Sequence, residues 1–229
     1  MVSFSDPTPL APAPASAQAG WLEALGRAFV TRYCRLTVQG SLPGPGQPML
    51  ICANHRSHVD SIAVMTALGL PFKQCGILAA KDYFFPGGAW LGAAARCLHL
   101  VPVERQPHRG DFARTIDACA AFLAAGGAAL LAYPEGTRGS APGTAPFKRG
   151  PALLAVSLKL PILPVYIAGS DRILGKGRRL PRPGRIDIAI GAPIWPAPAR
   201  SRAERRAGSI ELSRRVEDAV RALAGNIRP

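Results

Sequence analysis

The sequence predicts an α/β fold, a single layered domain with a mainly parallel or mixed central sheet flanked by helices and preceded by an amphipathic N-terminal helix. Beyond Gly40, short aliphatic and β-branched runs alternate with helical patterns, which is typical of a layered α/β domain. The 229 residues suit one domain, and a hydrophobic content of 48% is enough to bury a core. This composition excludes a chain that is disordered throughout.

The N-terminal region divides at residue 20. Residues 1–19 are rich in Pro, Ala and Ser and follow no helical or strand period, so we predict a disordered segment before a folded domain at 20–229. From Gly20 to Leu36 the apolar residues recur at helical spacing, at Trp21, Leu22, Leu25, Phe29, Tyr33 and Leu36. Two interpretations of this basic amphipathic helix stay open: it packs on the domain core, or it lies on an anionic membrane.

The remaining elements follow from hydrophobic period and turn residues. Apolar runs bounded by Gly, Pro or polar residues predict strands at Met49–Ala53, Gly76–Ala80, Cys97–Val103, Ala128–Tyr133, Ile162–Ala168 and Arg185–Ile190. Apolar residues three and four apart predict helices at Asp60–Leu68, Asp111–Ala125, Pro151–Lys159 and Ser209–Leu223. We expect Asp111 to cap its helix, Gly126 to end that helix, and Gly225 to end the last one.

The chain is strongly basic. Lys and Arg number 28 against 14 Asp and Glu, so an anionic partner such as phosphate, a lipid surface or nucleic acid is expected. Residues 171–229 hold 14 basic and 6 acidic residues, and they form either a solvated face or a patch that attracts anionic lipid. Only 7% of residues are aromatic, and no RNA-binding signature or zinc finger is present. We therefore expect no nucleic acid partner.

The five cysteines are odd in number and include no CxxC pair, which predicts buried thiols in a reducing compartment rather than disulfides. His55 and His58 lack further ligands at a familiar spacing, so no metal site is expected. The apolar stretch from Ala118 to Pro134 is interrupted by two glycines, and no transmembrane helix or secretory signal is predicted.

A first cluster of chemically active residues, Asn54 to Asp60, lies between a predicted strand and a predicted helix, where α/β folds present functional groups. Ser57 can cap the helix, which puts Asp60 in its first turn and His55 just outside it. The carboxylate would then orient one imidazole nitrogen while the other acts as a general base. Two alternatives remain: Ser57 and Asp60 form a structural capping box, or His58 is the reactive histidine.

A second cluster, Tyr133 to Gly139, also follows an apolar run. Gly136 and Gly139 permit a tight loop whose amides face an anion, while Thr137 offers a hydroxyl and Arg138 a planar fork for phosphate. The order of residues is not that of a nucleotide P-loop. The alternative is a surface turn in which Glu135 pairs with Arg138.

Two further segments supply cations. Arg105 follows a strand candidate and either joins the anion site or pairs with Glu104 at the rim. Lys148 either adds a cation near the same site or belongs to the start of the next helix. No G-x-S-x-G elbow is present, which disfavours a serine nucleophile.

In order and spacing these segments resemble the four motifs of the glycerolipid acyltransferases, especially the 1-acyl-sn-glycerol-3-phosphate acyltransferase family. The matching segments are Asn54–Asp60, Val103–Arg105, Tyr133–Arg138 and Leu160–Val165, and the resemblance covers Met49 to Ile194. The sequence departs from the family pattern with Glu104 in place of Asp, Tyr133 in place of Phe and Gly139 in place of Ser. These departures bear on the choice of acceptor more than on the chemistry.

The resemblance implies a role for each matching residue. His55 would be the general base and Asp60 its partner, and the Pro161–Val165 strand would shape the acyl-donor side. The acceptor site would be formed by Arg105, Glu135, Gly136, Thr137 and Arg138. The implied reaction belongs to phospholipid biosynthesis: it moves a fatty acyl group from acyl-CoA or acyl-carrier protein to a lysophospholipid, giving phosphatidic acid from 1-acylglycerol-3-phosphate. No bound cofactor and no metal are implied.

The expected setting is a peripheral protein on the cytoplasmic face of an anionic membrane, without a transmembrane helix. Phe84, Phe85 and Trp90 form either an aromatic loop at the bilayer interface or part of the core. Competing functions are acyl transfer to another lyso-lipid, hydrolysis of a lipid or thioester by the same His and Asp, and non-catalytic binding of nucleic acid or an anionic membrane.

Overall fold

Seven strands form one mixed sheet in the computed structural model, which describes residues 17–40, 47–80, 98–103, 110–136, 146–175 and 180–227. The strands are β1 (Thr37–Gln39), β2 (Met49–Ala53), β3 (Cys75–Ala80), β4 (Leu100–Val103), β5 (Ala129–Ala132), β6 (Ile162–Ala168) and β7 (Asp187–Ile190). Their order across the sheet is β1-β7-β6-β2-β5-β3-β4, and β7 runs antiparallel to β6. The predicted α/β fold with a mixed sheet is confirmed.

Helices cover both faces of this sheet. They are α1 (Ala17–Ala28), α2 (Asp60–Ala67), α3 (Asp111–Ala124), α4 (Gly150–Leu158), α5 (Ser170–Leu174) and α6 (Arg202–Asn226), with a π-helical turn at Phe29–Tyr33 and a 3₁₀ turn at Phe72–Gln74. Side chains alternate along β2, so Ile51 packs into the core under the π-helical turn and α2, while Leu50 packs into the core under α3, α4 and α6.

The strand order places the carboxyl ends of three strands together. β2 is central and pairs in parallel with both β5 and β6. Because neighbouring parallel strands end at the same edge of a sheet, the β2–α2 loop (residues 54–59) and the β5 turn (residues 133–136) lie side by side. This edge holds the candidate site.

Most predicted elements are present, and β2 and β6 have the predicted bounds. The last helix differs, because it begins at Arg202 and continues past Gly225. Ser201 caps it by accepting a hydrogen bond from the Glu204 amide at 3.1 Å, a local signal that lies outside any apolar period. The cap predicted at Asp111 is also wrong: Gly110, with φ 102°, precedes the helix and Asp111 is its first residue. Gly126, with φ 94°, follows this helix as expected.

The N-terminal helix faces the core differently from the sequence prediction. α1 begins at Ala17, and its inner side approaches the 3₁₀ turn, since a side chain on Gly26 would meet Phe72 at 3.4 Å. The buried residues that follow are Val30 and Cys34. Trp21 and Leu25, which were expected on the same face as the inner residues, are 56% and 61% exposed.

The cysteines that the structure describes are free and buried, as predicted. Burial raises the pKa of Cys34 to about 11 and that of Cys75 and Cys119 to about 12, so these thiols stay protonated. Among the described helices none is both long and apolar enough to cross a membrane. Several predicted features lie outside the described residues: the segment 1–16, Cys97, and the aromatic residues Phe84, Phe85 and Trp90.

Candidate active site

A histidine and an aspartate meet at the edge of the sheet, as the sequence predicts. His55 is the second residue after β2 and Asp60 is the first of α2, and the His55 Nδ1 lies 2.9 Å from the Asp60 Oδ2. A carboxylate at this position favours the tautomer with the proton on Nδ1, which leaves the lone pair of Nε2 free to accept a proton. The His55 side chain is 23% exposed, so a substrate can reach it.

The carboxylate of Asp60 is fully buried and held by the backbone. Its Oδ2 atom accepts hydrogen bonds from the amides of Arg56 and Ser57, both at 2.7 Å, in addition to the imidazole. Three donors therefore converge on one oxygen. The other oxygen, Oδ1, meets no hydrogen-bond donor among the described residues. The site fixes the orientation of this carboxylate before any substrate binds.

The predicted cap at Ser57 is only partly formed. The helix α2 begins at Asp60 with Val59 before it, and the Ser57 hydroxyl accepts a long hydrogen bond from the Val59 amide at 3.4 Å while it donates to the carbonyl of Leu174 at the end of α5. The Asp60 carboxylate accepts from the Ser57 amide at 2.7 Å, which is one half of a capping box, but the Asp60 amide donates to the Ser57 carbonyl at 3.3 Å and not to its hydroxyl. Half of the capping box is therefore present in the same loop as the contact between His55 and Asp60.

An aromatic side chain that carried no predicted role sets the plane of the imidazole. The ring of Tyr133 stacks on that of His55, with the centroids 4.1 Å apart and the planes at 19°. Its hydroxyl lies 2.8 Å from the Ser61 Oγ. Burial raises the pKa of Tyr133 well above its usual value, and the negative charge of Asp60 raises it further. The phenol therefore stays neutral beside the imidazole.

Glu135 joins the β5 turn to the β2–α2 loop. It is buried, and its carboxylate faces the backbone amide of His55. Burial raises the pKa of Glu135, while this amide and the charge of Arg56 oppose the rise. Gly136 follows with φ 73°, a conformation that favours glycine. Of the predicted acceptor residues, the structure thus places Glu135 beside the histidine and Gly136 next in the same turn, whereas Arg105, Thr137 and Arg138 lie outside the described residues.

Asn54 is a second structural link that sequence reasoning did not assign. Its side chain is fully buried and bonds twice to the backbone of Ile167 at the end of β6: Oδ1 accepts from the amide at 2.7 Å and Nδ2 donates to the carbonyl at 2.9 Å. These bonds extend the β2–β6 pairing beyond the last strand residue. They fix the backbone at the point where His55 begins to leave the sheet.

We expect Asn54→Ala to lower the free energy of unfolding by about 2–4 kcal/mol, because it leaves both backbone groups of Ile167 buried and unpaired. Urea denaturation of the variant and the unaltered chain measures the difference. Gln39→Ala, an exposed position on the edge strand, is the control and should change stability by no more than about 0.5 kcal/mol. Equal stability of the Asn54 variant and the unaltered protein would contradict the structural role.

Comparison with known proteins identifies the family of this chain. A family model described as Acyltransferase matches residues 35–168, more than half of the chain. This chain belongs to the acyltransferase family. The matched range contains the β2–α2 loop and the β5 turn and ends at the last residue of β6.

Named relatives of this acyltransferase family member are lysophosphatidate acyltransferases. It is 29% identical over 151 residues to the mouse 1-acyl-sn-glycerol-3-phosphate acyltransferase alpha, covering 66% of this chain and 51% of the relative. It is 28% identical over 167 residues to the 1-acyl-sn-glycerol-3-phosphate acyltransferase of Chlamydomonas reinhardtii, covering 72% and 48%. The chain therefore spans about half the length of these curated relatives.

A solved structure is similar over a larger share. The crystal structure of the 1-acyl-sn-glycerophosphate (LPA) acyltransferase PlsC from Thermotoga maritima matches with a TM-score of 0.60 and 25% sequence identity. The match covers 87% of this chain and 78% of that one. In the described part of this chain, no group of three or more His, Cys, Asp or Glu side chains is placed to hold a metal ion.

Proposed function

We propose that this protein transfers a fatty acyl group from an acyl thioester to the free hydroxyl of a lysophospholipid, with 1-acylglycerol-3-phosphate as acceptor and phosphatidic acid as product. The observation that carries the proposal is the His55–Asp60 pair, in which a buried and oriented carboxylate lies 2.9 Å from the imidazole. The kinship with lysophosphatidate acyltransferases supports the choice of acceptor. The donor is acyl-CoA or acyl-carrier protein.

His55 acts as a general base in this reaction. Its Nε2 takes the proton of the acceptor hydroxyl, and the acceptor oxygen attacks the carbonyl carbon of the thioester. The tetrahedral intermediate collapses by breaking the carbon–sulfur bond, and the thiolate leaves with the proton that the imidazolium returns. Asp60 stabilises the imidazolium between these two steps. No acyl-enzyme intermediate and no cofactor enter the reaction.

Binding of the acceptor is proposed for the β5 turn and its neighbours. The phosphate would be bound by Arg105 and Arg138, since guanidinium groups match a phosphate with two parallel hydrogen bonds. The Thr137 hydroxyl would donate a further hydrogen bond to it. The buried Glu135, whose carboxylate faces the His55 amide, would hold the turn beside the base.

Thiol release and product analysis test the proposal. The purified protein is mixed with acyl-CoA or acyl-carrier protein, with and without lysophosphatidate, and the lipid products are separated by thin-layer chromatography. Phosphatidic acid and free thiol that form only when lysophosphatidate is present support acyl transfer. Free fatty acid formed at the same rate without an acceptor would instead indicate a hydrolase, and product from other lyso-lipids alone would change the acceptor.

We further propose that α1 places the protein on an anionic membrane. Its outer side exposes Trp21 and Leu25, and the exposed Arg32 and Arg35 follow within ten residues, a combination of apolar and basic side chains typical of interfacial helices. The net charge of +14 favours the same partner.

Vesicle sedimentation tests whether α1 binds the membrane. Changing Trp21 and Leu25 together to serine is expected to weaken binding to phosphatidylglycerol vesicles roughly tenfold or more, because two large apolar side chains no longer enter the interface. Trp195→Ser is the matched control, since Trp195 is also 54% exposed but lies outside the helix. Equal binding by the double variant and the control would exclude α1 as the docking face.

A further inference from the structure

Lys148 is anchored by its backbone at the same edge of the sheet as His55. Its amide donates to the carbonyl of Pro134 at 2.9 Å, and the amide of Phe147 donates to the Glu217 carboxylate at 3.1 Å. Pro134 lies in the β5 turn, and the helix α4 begins two residues after Lys148. The chain therefore returns to the turn at Lys148 with a fixed backbone, while the side chain stays exposed.

The ammonium group of Lys148 lies against Gly136. A Cβ atom built on Gly136 would stand 2.5 Å from the Lys148 Nζ and 2.8 Å from its Cε, which is closer than real contacts allow. Glycine at this position therefore does two things: it permits the φ of 73° and it leaves room for the lysine side chain to cross the turn. The positive charge of Lys148 therefore lies next to Gly136, the residue that follows Glu135.

This charge has no carboxylate partner within the part of the chain that the structure describes. The ion pairs among those residues do not include Lys148. Glu135, the acidic residue nearest to Gly136 in sequence, is buried, whereas Lys148 is exposed. An ammonium group in this position is available to bind an anion at the mouth of the site.

We propose that Lys148 binds the phosphate of the lysophosphatidate acceptor, an inference that rests on the proposed function and adds a specificity residue to it. In 1-acylglycerol-3-phosphate the reacting hydroxyl and the phosphate are on adjacent carbons, so a cation that binds this phosphate must lie close to the base. Lys148 meets that condition, because its side chain crosses Gly136 and its amide bonds to Pro134, both in the turn whose Tyr133 ring stacks on His55 at 4.1 Å. The phosphates of CoA are separated from the thioester by the long pantetheine arm, which favours the acceptor as the ligand.

The test compares Lys148→Met, which keeps the apolar stem over Gly136, with Lys148→Arg, which keeps the charge. Loss of a charged hydrogen bond to phosphate is expected to raise the KM for lysophosphatidate about 10- to 100-fold in the methionine variant, with kcat and the KM for acyl-CoA little changed. The arginine variant should recover part of the affinity. Lys73→Met is the matched control, since Lys73 is also exposed but lies in the 3₁₀ turn before β3, at the opposite edge of the sheet.

Three results would overturn the inference: an unchanged KM for lysophosphatidate, a rise confined to the KM for acyl-CoA, or an equal rise in the Lys73 control. Calorimetric titration with lysophosphatidate measures the same contact without turnover, and the methionine variant should bind it about 10- to 100-fold more weakly. An unaltered chain that binds lysophosphatidate through Lys148 but transfers no acyl group would overturn the proposed function and leave this inference standing.

Discussion

Replacement of His55 by alanine is expected to slow acyl transfer by about 10²- to 10⁴-fold, because it removes the group that takes the proton from the acceptor hydroxyl. The variant should still fold. The imidazole is partly exposed, and the Asp60 carboxylate keeps its two backbone donors, from Arg56 and Ser57, when the ring is lost. Thiol release at saturating acyl-CoA and lysophosphatidate measures the rate, and circular dichroism verifies the fold.

His58→Ala is the matched control for this experiment. His58 lies three residues away in the same loop and is exposed, whereas the imidazole that contacts the buried carboxylate is that of His55. The control should transfer acyl groups at close to the unaltered rate. The opposite pattern, an active His55 variant and an inactive His58 variant, would show that the wrong histidine has been assigned as the base.

The second large effect is expected for Asp60→Asn. All three donors around this side chain converge on Oδ2, and Oδ1 has no donor among the described residues. The amide oxygen of an asparagine can therefore take the place of Oδ2 and keep the histidine in position. What is lost is the negative charge that stabilises the imidazolium, so transfer should fall about 100-fold while the tautomer is retained.

The rate and the thermal unfolding of the Asp60→Asn variant are measured together. Asp117→Asn, which removes an exposed carboxylate on α3, is the control and should change neither quantity. A fall in rate that tracks loss of folded protein would assign Asp60 a structural role only. A rate equal to that of the unaltered chain would remove it from the mechanism.

Local signals in the sequence predict the parts of this fold that depend on neighbouring residues. β2 and β6 have the expected bounds because each is an apolar run between turn residues. β1 was missed because three half-exposed residues at a sheet edge carry no clear period. The first two turns of α6 were missed for a related reason: Arg202 to Gly208 are mostly polar and exposed, so only the cap marks them.

The candidate site likewise combines contacts that the sequence predicts with contacts that it does not. The contact between His55 and Asp60 spans five residues and follows from a strand that leads into a helix. The stacking of Tyr133 on His55 and the hydrogen bonds from Asn54 to Ile167 join residues that are far apart in the chain. Both contacts depend on the order of strands across the sheet. Sequence spacing alone does not contain that order.

The two hydrogen bonds between Asn54 and Ile167 also affect when the candidate site forms during folding. They join residues 113 positions apart, and Ile167 belongs to β6, which pairs directly with β2. A nascent chain that has made the histidine and the aspartate therefore lacks both strands that flank β2, and it gains the second of them only when β6 has been synthesised. Such distant pairings form slowly, so this enzyme should acquire activity late in its folding, after the early helices have already become ordered.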